Sequence, residues 1–284
     1  MDIISFMLAP LAATLILGGI LVYFGIHVIK REIIFIDIAL AQIAALGGTL
    51  ALVLWPHLNH GHGAEGGGHM VEYLFSVLFT TMAAGLFSVF KNHKIRIPLE
   101  ALIGICYAVS TTAMVIILDK SSGSDVHIHD MLTGAILWVA WPEVIRLAIV
   151  VSIVGVFHWV FRKKMTSLTD SYDDCTYNQS KRKLWDFLFY FSFGLVIVEA
   201  VQIGGILTVF ALLIIPASTT LLFFSSWRSR IIAGLLLALL LTIPALWVSW
   251  TCDLPASPVL ILFLGITLIV SGIVYQIKKR ANKE

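Results

Sequence analysis

Charge is scarce in this sequence. Of its 284 residues only 13% are Asp, Glu, Lys or Arg, whereas 59% are hydrophobic. The mean hydropathy of +0.95 lies above the range of globular proteins. A soluble domain of this length could not bury so much apolar surface. The composition therefore excludes a soluble protein and predicts an all-α polytopic membrane protein.

Four further features are rare or missing. The three cysteines, Cys106, Cys175 and Cys252, are scattered, so no disulfide framework is expected. Met1 and Asp2 provide no basic region for a cleavable signal peptide, so the first apolar stretch is predicted to stay as a helix. The GxxxxGK[ST] phosphate loop is absent, so any use of ATP belongs to another subunit. No nucleophile lies beside a base, and the chain is not predicted to be an enzyme.

Apolar stretches recur along the whole chain. Hydrocarbon about 30 Å thick requires roughly 20 apolar residues per helix. Such stretches occur at 4–29, 33–55, 71–90, 99–118, 143–161, 185–201, 203–224, 229–250 and 256–277. They predict about nine transmembrane helices in a single domain, 1–284. Eight or ten stay open because only a Gln-Ile-Gly-Gly break divides 185–224, and 131–142 is predicted to be a re-entrant or interfacial helix.

The basic residues fall in alternate loops, which predicts the orientation. These loops contain Lys30 and Arg31, Lys91 to Arg96, Arg162 to Lys183, Arg228 and Arg230, and Lys278 to Arg280. The opposite loops are almost free of Lys and Arg. By the positive-inside rule the N-terminus lies outside and the C-terminus in the cytoplasm. The polar cytoplasmic loop 162–184 is predicted to hold one short helix that lies on a partner.

A histidine tract in a predicted outer loop is the clearest candidate for metal binding. Imidazole suits zinc, copper, nickel and iron, and the intervening glycines allow several rings to converge on one ion. The tract contains His57, His60, His62 and His69. We expect it to capture metal weakly, and the alternative is a disordered polar loop without a ligand. The segment Asp125 to Asp130 either adds ligands on that side or is an exposed polar turn.

Ionisable residues inside apolar spans are costly and suggest functional sites. The candidates are Asp37, Glu100, Glu199 and His158. Asp37 lies one or two turns from Arg31, so an ion pair at the cytoplasmic boundary is the alternative to a role in a pathway. Glu199 faces either a cavity or the membrane interface. His158 lies close to Arg162 and is predicted to be interfacial.

Four segments resemble one known family, the membrane permease subunits of ABC importers for zinc, manganese or iron. Arg31 to Phe35 with Ala39-Leu40 and Gly47 is similar to the family's RRxxF…DALSHAxLPG segment, and Glu100 to Gly104 to its acidic-then-IG segment. Gly205 to Ala217 is close to VGxLLVxALLIxPAA, and Asp253 to Pro258 is similar to DLPxGP. The segments occur in the family's order, and the resemblance covers nearly the whole chain.

The resemblance implies both partners and mechanism. It implies a permease that dimerises around a central pathway in the bacterial cytoplasmic (inner) membrane and alternates between outward- and inward-open states. A pair of cytoplasmic ATPase subunits and an extracytoplasmic binding protein are the expected partners, together with the lipid bilayer and no nucleic acid. The chain is expected to bind no cofactor, because the metal ion is the cargo.

The sequence departs from the family where the metal is thought to bind. Alignment of Ala39-Leu40-Ala41-Gln42 with ALSH places Ile38 at the aspartate and Gln42 at the histidine. We predict a pathway that includes Ile38, Gln42, Asp37 and Glu199. The expected cargo is a divalent transition metal, with zinc favoured by the histidine tract and manganese or iron open.

Three alternatives remain to the import of a free metal ion. The cargo could be a metal chelate or another small solute, because Ile38 offers no donor atom and Gln42 only a neutral oxygen. The chain could also be an ATP-independent secondary metal transporter. That class predicts paired carboxylate and histidine ligands at i, i+4, and no such pair occurs in the spans. A receptor or sensor would need a soluble output domain, which the sequence lacks.

Overall fold

The computed structural model describes residues 3–55, 67–90, 97–118, 134, 136–170 and 179–281. All regular structure in these ranges is helical. The helices are α1 (Ile3–Lys30), α2 (Ile36–Leu54), α3 (Gly67–Phe90), α4 (Leu99–Leu118), α5 (Trp141–Val160), α6 (Arg162–Asp170), α7 (Gln179–Phe223), α8 (Trp227–Cys252) and α9 (Ala256–Ala281), with a 3₁₀ turn at Ile136–Trp138.

Eight of the helices in the described residues are long and apolar enough to cross a membrane, and α6 is the exception. The prediction of an all-α polytopic membrane protein is therefore confirmed. The apolar part of α7 has 42 residues, about 63 Å at 1.5 Å per residue and twice the hydrocarbon thickness of about 30 Å. Its helical backbone is interrupted at Gly205. Nine crossings and the orientation of the termini stay predictions.

Short helices are expected at 131–142 and within 162–184, and among the described residues only the second segment contains one. In place of a re-entrant or interfacial helix over 131–142, the described residues form only the 3₁₀ turn Ile136–Trp138, and α5 already begins at Trp141. Pro142 lies in the first turn of α5, where its missing N–H breaks no helical hydrogen bond. The predicted short helix in loop 162–184 is confirmed as α6.

The chain divides into two compact units, so the single domain 1–284 stays a prediction. Unit 1 comprises residues 1–31, 129–160 and 200–284. In it α1 packs against α5 and α8, and α9 packs against α8. The second part of α7 approaches α1 so closely that a Cβ at Gly25 would overlap the Leu213 carbonyl oxygen and lie 2.9 Å from the Ala217 Cβ. Leu213 and Ala217, the two residues that contact Gly25, belong to the Gly205 to Ala217 segment.

Unit 2 comprises residues 32–128 and 161–199. Here α2 packs against α3 and α4. A Cβ at Gly47 would lie 2.6 Å from the Phe75 carbonyl oxygen, and one at Gly48 would lie 3.0 Å from the Ser76 Oγ. The small residues of α2 thus bring two backbones together, as is usual for membrane helices.

The α1 contact predicts different tolerance of two glycines in one helix. Gly25→Ala should lower the thermal unfolding temperature of the detergent-solubilised protein, because overpacking of a tight contact typically costs about 1–3 kcal/mol. Gly19→Ala is the control, since a Cβ there would meet Leu235 Cδ1 at an ordinary 3.6 Å. Equal unfolding temperatures for the two variants would contradict the close approach of α1 and α7.

Candidate functional site

The candidate pathway begins at the first turn of α2. Glu32, just before this helix, adopts a left-handed backbone conformation with φ of 56°. Asp37 then follows in the first turn, where the N-terminal dipole favours a carboxylate. Its carboxylate lies against the backbone N–H groups of Asp37 and Ile38. The side chain is buried, and its Oδ1 accepts no hydrogen bond from the residues that the structure describes.

One face of α2 carries the two positions at which the family has its metal-contacting residues. Ile38, Gln42, Ala45 and Thr49 are spaced by four, three and four residues, which places them on one side of a helix. We call these four residues the pathway face. Asp37 points about 100° away from Ile38. Ile38 and Gln42 therefore share one face of α2, as predicted, and Asp37 lies outside that face.

Two side chains of the pathway face carry polar atoms without partners. Gln42 and Thr49 are each only 2% exposed. Gln42 Oε1 and Thr49 Oγ1 have no hydrogen-bond partner among the described residues. An unsatisfied buried polar group costs about 1–3 kcal/mol, so such atoms usually have a water, ion or functional role that justifies them. The face thus offers neutral oxygen donors in an otherwise apolar segment.

No preformed multi-ligand metal centre occurs in the part of the chain that the structure describes. No group of three or more His, Cys, Asp or Glu side chains there is placed to hold an ion. His57, His60 and His62 lie outside the described residues, as do the side chain of His69 and the segment Asp125 to Asp130. The backbone of His69 belongs to the first turn of α3. Metal capture by the tract stays a prediction.

Glu199 and His158 are both buried. Glu199 has no exposed surface, and its role in a pathway stays a prediction. The His158 side chain is only 3% exposed, so it packs inside the protein, and its position at the membrane interface stays a prediction. The Tyr23 hydroxyl lies 3.0 Å from its Nδ1. Sequence could not show this contact, since 135 positions separate the two residues.

The partner of His158 belongs to an aromatic cluster that the sequence did not reveal. The rings of Tyr23 and His27, one turn apart on α1, lie 4.7 Å apart. The His27 ring is also 4.6 Å from that of Trp227, at the start of α8. Lys30 Nζ lies 4.4 Å from the centre of the Trp227 ring, a distance typical of cation–π contacts. Through these contacts the C-terminal end of α1 packs against α5 and α8.

The interruption of α7 is built from three glycines. Gly205 has φ of 70° and ψ of 161°, a conformation open essentially to glycine alone. A Cβ at Gly134 would overlap the backbone of Gly204 and Gly205, so no side chain fits between these segments. Ser257 Oγ lies 3.5 Å from the Gly204 carbonyl oxygen. The predicted Gln-Ile-Gly-Gly break therefore coincides with a real break in the helix.

The last family-like segment forms the turn between α8 and α9. Asp253 ends α8 in the left-handed conformation. Leu254 donates its N–H to the Ser249 carbonyl oxygen at 3.0 Å, and Ser249 Oγ donates to the Leu254 carbonyl oxygen at 2.6 Å. These two bonds close the end of α8 before Pro255. The structure thus gives the Asp253 to Pro258 segment a turn-forming role.

Comparison with known proteins decides the family. The family model described as ABC 3 transport family matches residues 3–275. The chain belongs to the ABC 3 transport family. The resemblance to metal-type ABC permeases is confirmed, and with it the placement of the chain as a multi-pass protein of the bacterial cell membrane.

Relatives and solved structures agree with this family. The chain is 29% identical over 197 residues to the manganese transport system membrane protein MntC of Listeria innocua and to that of Listeria monocytogenes, covering 67% of this chain and 68% of each relative. It resembles PsaBC from Streptococcus pneumoniae in complex with Fab, with a TM-score of 0.72, 19% identity and coverage of 94% and 90%. It also resembles an inward-facing ABC transporter assigned to the metal-chelate type, with a TM-score of 0.66, 18% identity and coverage of 95% and 85%.

The break in α7 predicts opposite effects at adjacent glycines. Gly205→Ala should reduce the amount of folded protein in the membrane, because a non-glycine residue in that conformation costs about 1–3 kcal/mol. Gly204→Ala should be tolerated, since its Cβ would meet Val209 Cγ2 at 3.7 Å and needs no positive φ. Quantitative immunoblots of membranes and size-exclusion profiles measure the difference. If Gly205→Ala behaves like Gly204→Ala, the break does not require glycine.

Proposed function

We propose that this chain forms the translocation pathway of an ATP-driven importer of a divalent transition metal. The observation that carries the proposal is the pathway face of α2, in a chain whose family model spans residues 3–275. Gln42 and Thr49 hold oxygens there that have no partner among the described residues, at and near the positions where the family contacts its metal. The face would open alternately to either side of the membrane as cytoplasmic ATPase subunits close and open.

Manganese is the cargo that the described part of the pathway fits best. Amide, hydroxyl and carboxylate oxygens suit Mn²⁺, whereas zinc favours imidazole and thiolate. The pathway face has only oxygen donors, and the two Listeria relatives are named manganese transport proteins. Zinc, which the histidine tract favours, stays an expectation that the same uptake experiment tests.

A metal chelate is the second candidate cargo. Ile38 supplies no donor atom, so a free ion would meet few ligands on α2, whereas a chelated ion brings its own. One solved structural neighbour is assigned to the metal-chelate type, which is consistent with this candidate. An ATP-independent secondary transporter is disfavoured, because the chain belongs to an ABC transport family.

Helix α6 is the proposed contact for the ATPase. It is held in unit 2 by the buried side chains Met165 and Leu168. Lys164 Nζ lies 4.9 Å from the centre of the Trp185 ring. Arg162 and Lys163 are exposed and give the start of α6 a positively charged surface. A homodimer of the permease and an extracytoplasmic binding protein complete the proposed importer.

Uptake by cells that carry the complete importer tests the proposal. Gln42→Leu should lower Mn²⁺ uptake about tenfold, the equivalent of one lost oxygen contact of about 1.4 kcal/mol. Gln42→Glu is the matched control, because it keeps an oxygen donor at the same length and should retain uptake. The double variant Ile38→Asp with Gln42→His should shift preference towards Zn²⁺.

Three outcomes would decide against parts of this account. No ATP-dependent uptake of any transition metal by the native importer would refute the metal assignment. Uptake that occurs only when the metal is supplied with a chelator would replace the free ion by the chelate. Equal Mn²⁺ uptake by Gln42→Leu and Gln42→Glu, at equal amounts in the membrane, would remove Gln42 from the pathway.

A further inference from the structure

We propose that the break in α7 binds one ordered water molecule, held by the Thr208 hydroxyl, the Gly204 carbonyl oxygen and the Ser257 hydroxyl. We call these three groups the break site. All three belong to unit 1, and none is part of the pathway face of α2. The proposal therefore does not depend on which cargo the chain transports.

Thr208 is the buried polar group from which the site is inferred. Other threonines of unit 1 return their hydroxyls to the carbonyl oxygen four residues earlier, as Thr219 does to Ile215 at 2.9 Å and Thr267 to Phe263 at 2.8 Å. Thr208 is 0% exposed, yet its Oγ1 has no hydrogen-bond partner among the described residues. A buried hydroxyl without a partner is costly, so this one calls for a partner outside the protein.

The break in the helix explains why Thr208 differs from the other threonines. The residue four positions earlier is Gly204, whose carbonyl oxygen would be the usual acceptor. Gly205 lies between the two, with φ of 70° and ψ of 161°. This conformation turns the Gly204 carbonyl away from the position that an uninterrupted helix would give it. The break thus separates the Thr208 hydroxyl from its ordinary acceptor.

The same carbonyl oxygen is also poorly satisfied from the other side. Ser257, at the start of α9, is 3% exposed, and its Oγ lies 3.5 Å from the Gly204 carbonyl oxygen. Bonds between a hydroxyl and an oxygen acceptor are usually about 2.5–3.0 Å long. Polar groups at such a separation are commonly bridged by water. Two hydroxyls and one carbonyl oxygen are enough partners, since a buried water makes about three hydrogen bonds.

The side of Gly204 that faces Thr208 has room for a small molecule. A Cβ at Gly204 would lie 3.8 Å from the Thr208 Cβ and from Leu17 Cδ1, and 3.7 Å from Val209 Cγ2. These are ordinary van der Waals contacts, so the glycine leaves space of about the size of a methyl group beside its backbone. A water molecule requires little more than that.

The chemistry of the break site favours water over a cation. All three groups are neutral, and neither the second part of α7, from Ile206 to Phe223, nor α9 contains an acidic residue. A buried charge is costly unless an opposite charge accompanies it. Water can accept from one hydroxyl and donate to the carbonyl oxygen, which a metal ion cannot do.

A structure of the full-length protein, at a resolution that shows ordered water, tests the site directly. We expect one density peak within about 2.6–3.2 Å of both Thr208 Oγ1 and the Gly204 carbonyl oxygen. The peak should be lost in Thr208→Val, which has the same shape but no hydroxyl. The sample is kept in choline chloride, without Na⁺ or K⁺, and a second sample contains NaCl.

Thermal unfolding of the detergent-solubilised protein gives an independent readout. Thr208→Val should lower the unfolding temperature by about 2–4 °C, because the water loses a partner. If no water were bound, the same change would remove an unsatisfied hydroxyl and leave the temperature unchanged or higher. The effects of Thr208→Val and Ser257→Ala should be less than additive, because both groups hold one water. Thr242→Val is the matched control, since Thr242 donates to Ala238 in its own helix, and its effect should add to that of Ser257→Ala.

Each contrary result is specific. A native map without a peak at the break site would overturn the proposal, and so would an unfolding temperature of Thr208→Val equal to or above that of the native protein. A peak that appears with NaCl and not with choline chloride would show a cation site and overturn it as well. None of these results would alter metal uptake, so the proposed function is tested separately.

Discussion

The structure depends on one constraint: hydrocarbon offers no hydrogen-bond partners, so the backbone must satisfy its own polar groups. Within the described residues every regular element is accordingly a helix. The helical pattern is interrupted at Gly205, in the middle of the longest apolar segment. Protein surrounds that break, with Gly134 against its backbone and Ser257 Oγ near the Gly204 carbonyl oxygen. Irregular backbone is tolerated at such depth only when it is enclosed in this way.

The same constraint draws attention to Gln42 and Thr49. Several buried hydroxyls return to their own helix; Thr14 donates to the Pro10 carbonyl oxygen at 2.7 Å, and Thr242 donates to that of Ala238 at 2.7 Å, whereas the hydroxyl of Thr208, like that of Thr49, has no partner among the described residues. Thr49 and Gln42 do not close such bonds through Oγ1 and Oε1. In a segment otherwise made of Ala, Gly, Leu and Ile, these oxygens lower stability unless they meet water or cargo. The proposed transport pathway would give them that role.

The sequence predicted what depends on length and local chemistry. The span 99–118 coincides with α4, and the glycine pair at 204–205 marks the break in α7. It could not show contacts between residues far apart in the chain, such as Tyr23 with His158, or Gly134 with Gly204. The pathway positions came from the family's motif, since helical spacing alone shows a shared face for Ile38 and Gln42 but no cargo. Which oxygens lack partners could be seen only in three dimensions.

Water accessibility along α2 tests the central claim most directly. Single cysteines are introduced along the helix after Cys106, Cys175 and Cys252 are replaced, and labelling by a membrane-impermeant thiol reagent is measured during ATP-driven turnover of the complete importer. We expect labelling of Ile38→Cys, Gln42→Cys, Ala45→Cys and Thr49→Cys, and protection of Leu40→Cys, Ala44→Cys and Ala51→Cys on the opposite side of the helix. Labelling that is equal on both sides, or confined to the opposite side, would contradict the assignment of this face to the pathway.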